Sequence, residues 1–332
     1  MRISVLGAGG WGTTLAILLH YNGHPVTLWE FNKSYSRQLN KTRNNKVYLP
    51  GIEIPKEINI THSLEEACYQ QDMIVIAVPS QFIRSVLKSC KSFDFTDTIF
   101  TSVAKGIEKG TLKRVSQVIK DELPKISLDQ IGVLSGPSHA EEVSKRIPTA
   151  VVAASAYSET SKQIQLAFIT SYFRVYSSTD LIGVELGGSL KNVIAIGAGI
   201  VDGAELGDNT KAAIMTRGIA EMSRLGTAMG AKAETFAGLS GMGDLIVTCM
   251  SKHSRNRFVG EEIGKGKKLK SIIKSMNMVA EGVETCRSVY ELSQKNNISA
   301  PIAQATYNIL FNEKDPSKVT YDLMTRDMKK ED

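Results

Sequence analysis

Short apolar runs rich in valine and isoleucine recur along the first half of the chain, at residues 3–6, 26–29, 73–78, 98–104, 131–134, 150–153 and 173–176. Polar, helix-compatible stretches lie between most of them. Gly23 closes a helix that begins near Trp11, and Ser63-Leu64-Glu65-Glu66 has the form of a capping box. Short buried strands alternating with helices predict a parallel sheet covered on both faces. The least regular stretch is 34–60, which contains Tyr48-Leu49-Pro50-Gly51 and reads as a long excursion over the sheet. After about Asp180 the strand signals stop. Helical patterns follow at 181–201, 211–229, 234–239, 243–250, 255–263, 283–295 and 301–310. The expectation is an α/β domain over residues 1–180 and an all-helical domain over 181–332, with no repeat of solenoid period and no low-complexity tract.

A length of 332 residues agrees with two domains. The net charge of +6 suits an anionic ligand and also allows weak nucleic-acid binding. The densest basic run, Lys265-Gly266-Lys267-Lys268-Leu269-Lys270, has no interleaved aromatics and reads as a solvated face, so no nucleic-acid partner is expected. Cys68, Cys90, Cys249 and Cys286 form no C-x-x-C pair and have no metal-ligand spacing with a histidine. Reduced thiols, no metal and a cytoplasmic location are the expectation. The 181–201 stretch is long enough to span a bilayer, but its central Lys191-Asn192 pair argues against insertion.

Lys191 is the most informative residue. Between Leu181 and Val201 the only charges are Glu185 and Lys191. At helical spacing Lys191 neighbours Gly187, Gly188, Ile194 and Ala195, none of them a carboxylate. A lysine held against apolar surface loses basicity, as a general acid or base near neutral pH must. The competing reading is a snorkelling lysine on a core helix. The segment Gly7-Ala8-Gly9-Gly10-Trp11-Gly12 is a G-x-G-x-x-G between a strand and a helix. In that context it points to a dinucleotide on a Rossmann-like domain, against the plainer reading of a tight strand–helix turn. The second strand ends at Glu30, where a carboxylate accepts ribose hydroxyls and repels a 2′-phosphate, favouring NAD over NADP. Lys33 blurs that preference, and an exposed strand-end glutamate is the alternative.

Lys105 ends another strand, and Ser135-Gly136-Pro137-Ser138-His139-Ala140 ends a third. The carboxyl ends of parallel strands are where such sheets bind ligands. Lys105 also reads as a plain loop lysine. His139 is a candidate acid or base, ranked below Lys191. Asp244 and Thr248 share a helix face, where Asp244 either tunes a lysine or simply sits at a helix start. Ser254-Arg255-Asn256-Arg257 opens a helix, with Ser254 as N-cap, and makes either a phosphate site or an ordinary capped surface helix.

Taken in order, segments 7–13, 48–51, 103–106, 135–142, 186–199, 239–249, 254–257 and 279–286 resemble the soluble bacterial NAD(P)-dependent glycerol-3-phosphate dehydrogenases. The resemblance runs through essentially the whole chain. It implies Lys191 as catalytic acid/base, with Lys105, Asp244 and Thr248 in support. It implies substrate contacts from Lys105, Gly136, Ser138, Asn192, Asp244, Ser254, Arg255 and Asn256, the phosphate falling to Arg255 and Asn256. Gly10, Trp11, Tyr48, Lys105, Ala140, Arg255, Val279 and Glu281 would line the cofactor beside Gly7, Gly9, Gly12 and Glu30. It also implies a homodimer and a reaction that reduces dihydroxyacetone phosphate for glycerophospholipid synthesis. One departure stands out: many NADPH-using members carry an arginine just after the second strand, and here that stretch reads Glu30-Phe31-Asn32-Lys33. Competing readings are a β-hydroxyacid or 6-phosphogluconate-type dehydrogenase, a nucleotide-sensing protein without turnover and, weakest, a nucleic-acid binder.

Overall fold

The computed structural model describes every residue except Asn277, Lys329 and Asp332. Eight strands form one sheet: β1 (Ile3–Leu6), β2 (Val26–Trp29), β3 (Asn59–Thr61), β4 (Met73–Ile76), β5 (Ile99–Ser102), β6 (Ile131–Ser135), β7 (Thr149–Ser155) and β8 (Phe173–Ser178). Their order is β3-β2-β1-β4-β5-β6-β7-β8. Alternate residues feed opposite faces. Met73 and Val75 enter one apolar core, while Ile74 and Ile76 enter the other.

All neighbouring pairs are parallel except β6 and β7, which run antiparallel. The link between those two carries only the short helix Ala140–Val143, too little to return the chain across the sheet as a parallel pairing requires. β1 lies between β2 and β4, so the winding reverses there and leaves a crevice beyond the carboxyl ends of the strands.

The irregular stretch holds more structure than its pattern predicts. A helix spans Lys33–Thr42, burying only Ser36 and Leu39, and β3 adds a three-residue edge strand. At the expected capping box Ser63 does accept the Glu66 N–H, but the Glu66 carboxylate turns away to Asn59 and Thr61.

Beyond Asp180 the described residues are helical or irregular. The helix Leu181–Gly203 runs through the centre of this part, and Asp180 caps it by accepting the Gly183 N–H. It is long and apolar enough to cross a membrane, yet its most apolar window is wholly buried within the protein. Its other charge, Glu185, is paired with Arg114 and accepts the Ser116 N–H at 2.8 Å. Helix Arg255–Gly264 crosses this central helix with backbone against backbone. A Cβ on Gly260 would lie 2.0 Å from Ile196 O, and one on Gly199 would lie 2.1 Å from Arg257 O. Small residues allow that approach, and nothing larger fits.

Helices Leu269–Ser275 and Pro316–Met324 were not expected from the pattern. In the basic run, Lys265 and Lys267 pair with Glu261 and Glu262, and Lys268 pairs with Glu313. The four cysteines are free and buried.

Candidate active site

At the end of β1 the chain turns at Gly7, whose φ of +116° is costly for any residue with a Cβ. A Cβ on Gly12 would lie 1.9 Å from Gly7 O, so the helix Gly10–Tyr21 begins pressed against the turn. Nothing lies within 4 Å of the Cβ position at Gly9. Open space therefore faces a helix N-terminus, the setting that accepts a pyrophosphate. Asn45 straps the turn from behind. It donates to Ala8 O at 2.8 Å and to Thr13 Oγ1 at 2.7 Å, and its own oxygen accepts the Tyr48 N–H. That last bond sets Tyr48 on the cleft wall.

The cleft has a volume of about 560 Å³ and runs from this turn to the central helix. On that helix Lys191 is 5% exposed, and it does have a partner, though not in its own helix. Its ammonium donates to Asp244 Oδ1 at 2.9 Å and to Thr248 Oγ1 at 2.6 Å. Lys105 reaches the same carboxylate from the end of β5, donating to Asp244 Oδ2 at 2.7 Å. One buried carboxylate thus serves two ammonium groups. A π-helical turn at Leu239–Gly243 sets the start of helix Asp244–Met250 against the central helix. A Cβ on Gly187 there would lie 2.8 Å from Ser240 O.

Burial drives the electrostatics. It outweighs the pull of Asp244 and, with the charge of Lys105, pushes the Lys191 pKa down to about 8. Burial alone would lift the Asp244 carboxyl, but the two ammonium groups overcome it and hold its pKa below the ordinary value.

The remaining sequence-predicted residues fall in two places. Ser138, Ala140, Asn192, Ser254, Arg255, Asn256, Val279 and Glu281 line the same cleft as the lysines, together with Gly7, Gly9, Gly10, Trp11, Gly12 and Glu30. Gly136 lies behind the wall, and its carbonyl accepts the Lys105 ammonium at 2.9 Å. Ser254 caps helix Arg255–Gly264 by accepting the Arg257 N–H at 3.1 Å. Arg255 is exposed beside that start and donates to Val279 O at 2.8 Å. Among the described residues no group of three or more His, Cys, Asp or Glu side chains converges as metal ligands would.

Residues 2–161 match the family model described as the N-terminus of NAD-dependent glycerol-3-phosphate dehydrogenase, and residues 180–321 match its C-terminus. The chain belongs to this dehydrogenase family. It is 53% identical to a glycerol-3-phosphate dehydrogenase [NAD(P)+] of Chlorobium phaeobacteroides (strain BS1), over 100% of this chain and 99% of that one. A relative of the same name from Thermoanaerobacter sp. (strain X514) is 52% identical over the same shares. The crystal structure of a glycerol-3-phosphate dehydrogenase from Coxiella burnetii superposes with a TM-score of 0.93 at 37% identity, covering 98% of this chain and 99% of that one.

Within this glycerol-3-phosphate dehydrogenase fold, three features of the cleft went unread in the sequence. Phe31, 81% exposed after β2, and Phe82, 54% exposed on helix Ser80–Lys88, stand on the cleft wall with the glycine turn. The Glu281 carboxylate is already engaged, accepting the Ser80 N–H at 2.7 Å and the Lys105 N–H at 3.3 Å. Asn192 completes that clasp by donating to Lys105 O at 2.7 Å. Finally, the Glu30 carboxylate turns to the Asn32 N–H at 2.8 Å, and burial raises its pKa above the ordinary value. Lys33 is exposed and off the cleft wall.

Proposed function

We propose that this chain is an NAD(P)-dependent sn-glycerol-3-phosphate dehydrogenase that reversibly reduces dihydroxyacetone phosphate to glycerol 3-phosphate. The observation that carries this reading is the convergence of Lys191 and Lys105 on Asp244, in a cleft that also holds the glycine turn and the capped helix start at Ser254. The nicotinamide, when bound, supplies or accepts the hydride at C2 of the substrate. Every other task falls to the chain. Lys191 gives its proton to the oxygen developing at C2 and takes it back in the oxidising direction. Lys105 adds positive charge beside that oxygen, and Asp244 and Thr248 aim the Lys191 ammonium.

Substrate phosphate sits at the start of helix Arg255–Gly264, where Arg255 and Asn256 meet it and its binding energy orients the reacting carbon. Gly9 leaves room for the dinucleotide pyrophosphate, Gly10 lets the helix start pack against the Tyr48 carbonyl, and Phe31 and Phe82 offer flat apolar surface to the adenine. Residues 1–180 serve as the dinucleotide-binding half and residues 181–332 as the substrate half. The enzyme works in the cytoplasm as a homodimer and feeds glycerophospholipid synthesis.

The defining assay is oxidation of NADH and of NADPH by dihydroxyacetone phosphate, set beside a panel of 2- and 3-keto acids. Turnover confined to the keto acids would replace the substrate reading with a hydroxyacid one. With Glu30 at the end of the second strand and no arginine just after it, kcat/KM is expected to be on the order of 10-fold higher with NADH than with NADPH, a difference of about 1.4 kcal/mol. The opposite ranking defeats the Glu30 argument. Arg255→Ala is expected to raise the KM for dihydroxyacetone phosphate about 10-fold, the loss of one charge-assisted contact to phosphate. An unchanged KM moves the phosphate away from this helix.

A further inference from the structure

His139 plays no part in the chemistry above. It follows β6, stands before the short helix Ala140–Val143, and lies on the cleft wall with Lys191, Lys105 and Asp244. Its Nε2 is closed to solvent and has no hydrogen-bond partner among the described residues. Its ring packs against that of His253, with centroids 5.9 Å apart and planes tilted by 55°. His253 belongs to the turn that leads into Ser254, so the two rings meet from the sheet side and the helical side of the cleft. Burial, then the charges of Lys191 and Lys105, lower the basicity of His139 and favour its neutral imidazole.

A buried polar atom without a partner is costly, and such atoms persist at sites where a ligand supplies the missing bond. Dihydroxyacetone phosphate brings three polar groups. The phosphate is met at Ser254, Arg255 and Asn256, and the C2 oxygen at Lys191 and Lys105. Its free terminal hydroxyl has no partner in that scheme. A dianion calls for a cation, whereas a neutral hydroxyl both donates and accepts and so matches a neutral imidazole in either tautomer.

We propose that His139 is a specificity-determining residue that hydrogen-bonds the free terminal hydroxyl of the triose phosphate, with the His253 ring holding its imidazole in place. This assignment rests on the reaction proposed above. It explains how the enzyme recognises the end of the substrate that carries neither phosphate nor reacting carbon.

The test compares dihydroxyacetone phosphate with hydroxyacetone phosphate, which keeps the carbonyl and the phosphate but ends in a methyl group. His139→Leu is expected to lower kcat/KM for dihydroxyacetone phosphate about 10-fold or more, because a site built to bond a hydroxyl loses its discrimination with that bond. Hydroxyacetone phosphate should be turned over by the variant at near the wild-type kcat/KM. His139→Gln, which keeps a donor and an acceptor, should recover part of the loss. Equal losses on the two substrates mean a structural or phosphate-directed role and overturn the assignment, as does an unchanged kcat/KM for dihydroxyacetone phosphate. Where His139→Leu fails to fold, judged by circular dichroism and NADH binding, His139→Gln decides on the same ratio. A loss confined to dihydroxyacetone phosphate supports the assignment, and an equal or absent change ends it. Wild-type turnover of dihydroxyacetone phosphate is read first and tests the reaction itself, so the two failures are told apart.

Discussion

Replacing Lys191 with alanine is expected to cut kcat for dihydroxyacetone phosphate by about 10²- to 10⁴-fold, the range a positioned general acid supplies. NADH binding and the fold should persist. Alanine favours a helix, and Asp244 keeps Lys105 as its ion-pair partner. Steady-state kinetics beside an NADH fluorescence titration checks both halves, and a near-normal kcat takes the proton away from Lys191. The wild-type pH profile should carry the same signature. With the Lys191 pKa near 8, the proton-donating ammonium is lost as pH rises through that value. For dihydroxyacetone phosphate, kcat/KM therefore falls above pH 8. For glycerol 3-phosphate it climbs toward the same pH, because oxidation needs the free amine. The two limbs should share a midpoint.

The second large effect is expected from Asp244→Asn. The amide is nearly the size of the carboxylate but leaves the two buried ammonium groups facing a neutral partner. Breaking a buried ion pair from one side costs about 3–5 kcal/mol of stability, which a denaturant melt measures. The Asp244 charge supports the protonated form of Lys191, so its loss drives that pKa lower still. The alkaline limb for dihydroxyacetone phosphate reduction should move to lower pH, and activity at pH 7 should fall steeply even where the protein stays folded. An unmoved limb would mean that Asp244 braces the helix start without tuning the lysine.

How much of this was legible depends on what each residue touches. The run at 26–29 matches β2 residue for residue because three of its four residues, Val26, Leu28 and Trp29, are large, apolar and buried. The helix Lys33–Thr42 escaped notice because it buries so little that its pattern is nearly all polar. β3 is only three residues long, and the reversed direction of β7 depends on a connection, which composition does not record. In the site, Lys191 was conspicuous because its own helix offers it no counterion. Asp244, 53 positions away, was readable as a tuning group, but its sharing with Lys105 was not. That requires the end of β5 and a π-helical turn to meet, which local sequence does not specify. The Glu281 clasp was hidden for a further reason. Its partners are backbone N–H groups, which leave no trace in residue type.

The crossing of the two glycine-bearing helices acts as a fixed caliper. Gly260 rests against the backbone at Ile196, and Gly199 against the backbone at Arg257. No side chain lies at those contacts to be trimmed or enlarged. The spacing of the two helix axes that carry Lys191 and Ser254 is therefore set by main chain, while Asp244 and Thr248 fix the ammonium within it. With the carbonyl at Lys191 and the phosphate at Ser254, as proposed above, a sugar phosphate with one more carbon between them is expected to overshoot one jaw or the other. On the roles proposed above, preferences at the ends of the ligands can drift by single substitutions, at Glu30 for the nucleotide or His139 for the hydroxyl. The helix spacing cannot change in that way, because altering it means relaying two helices.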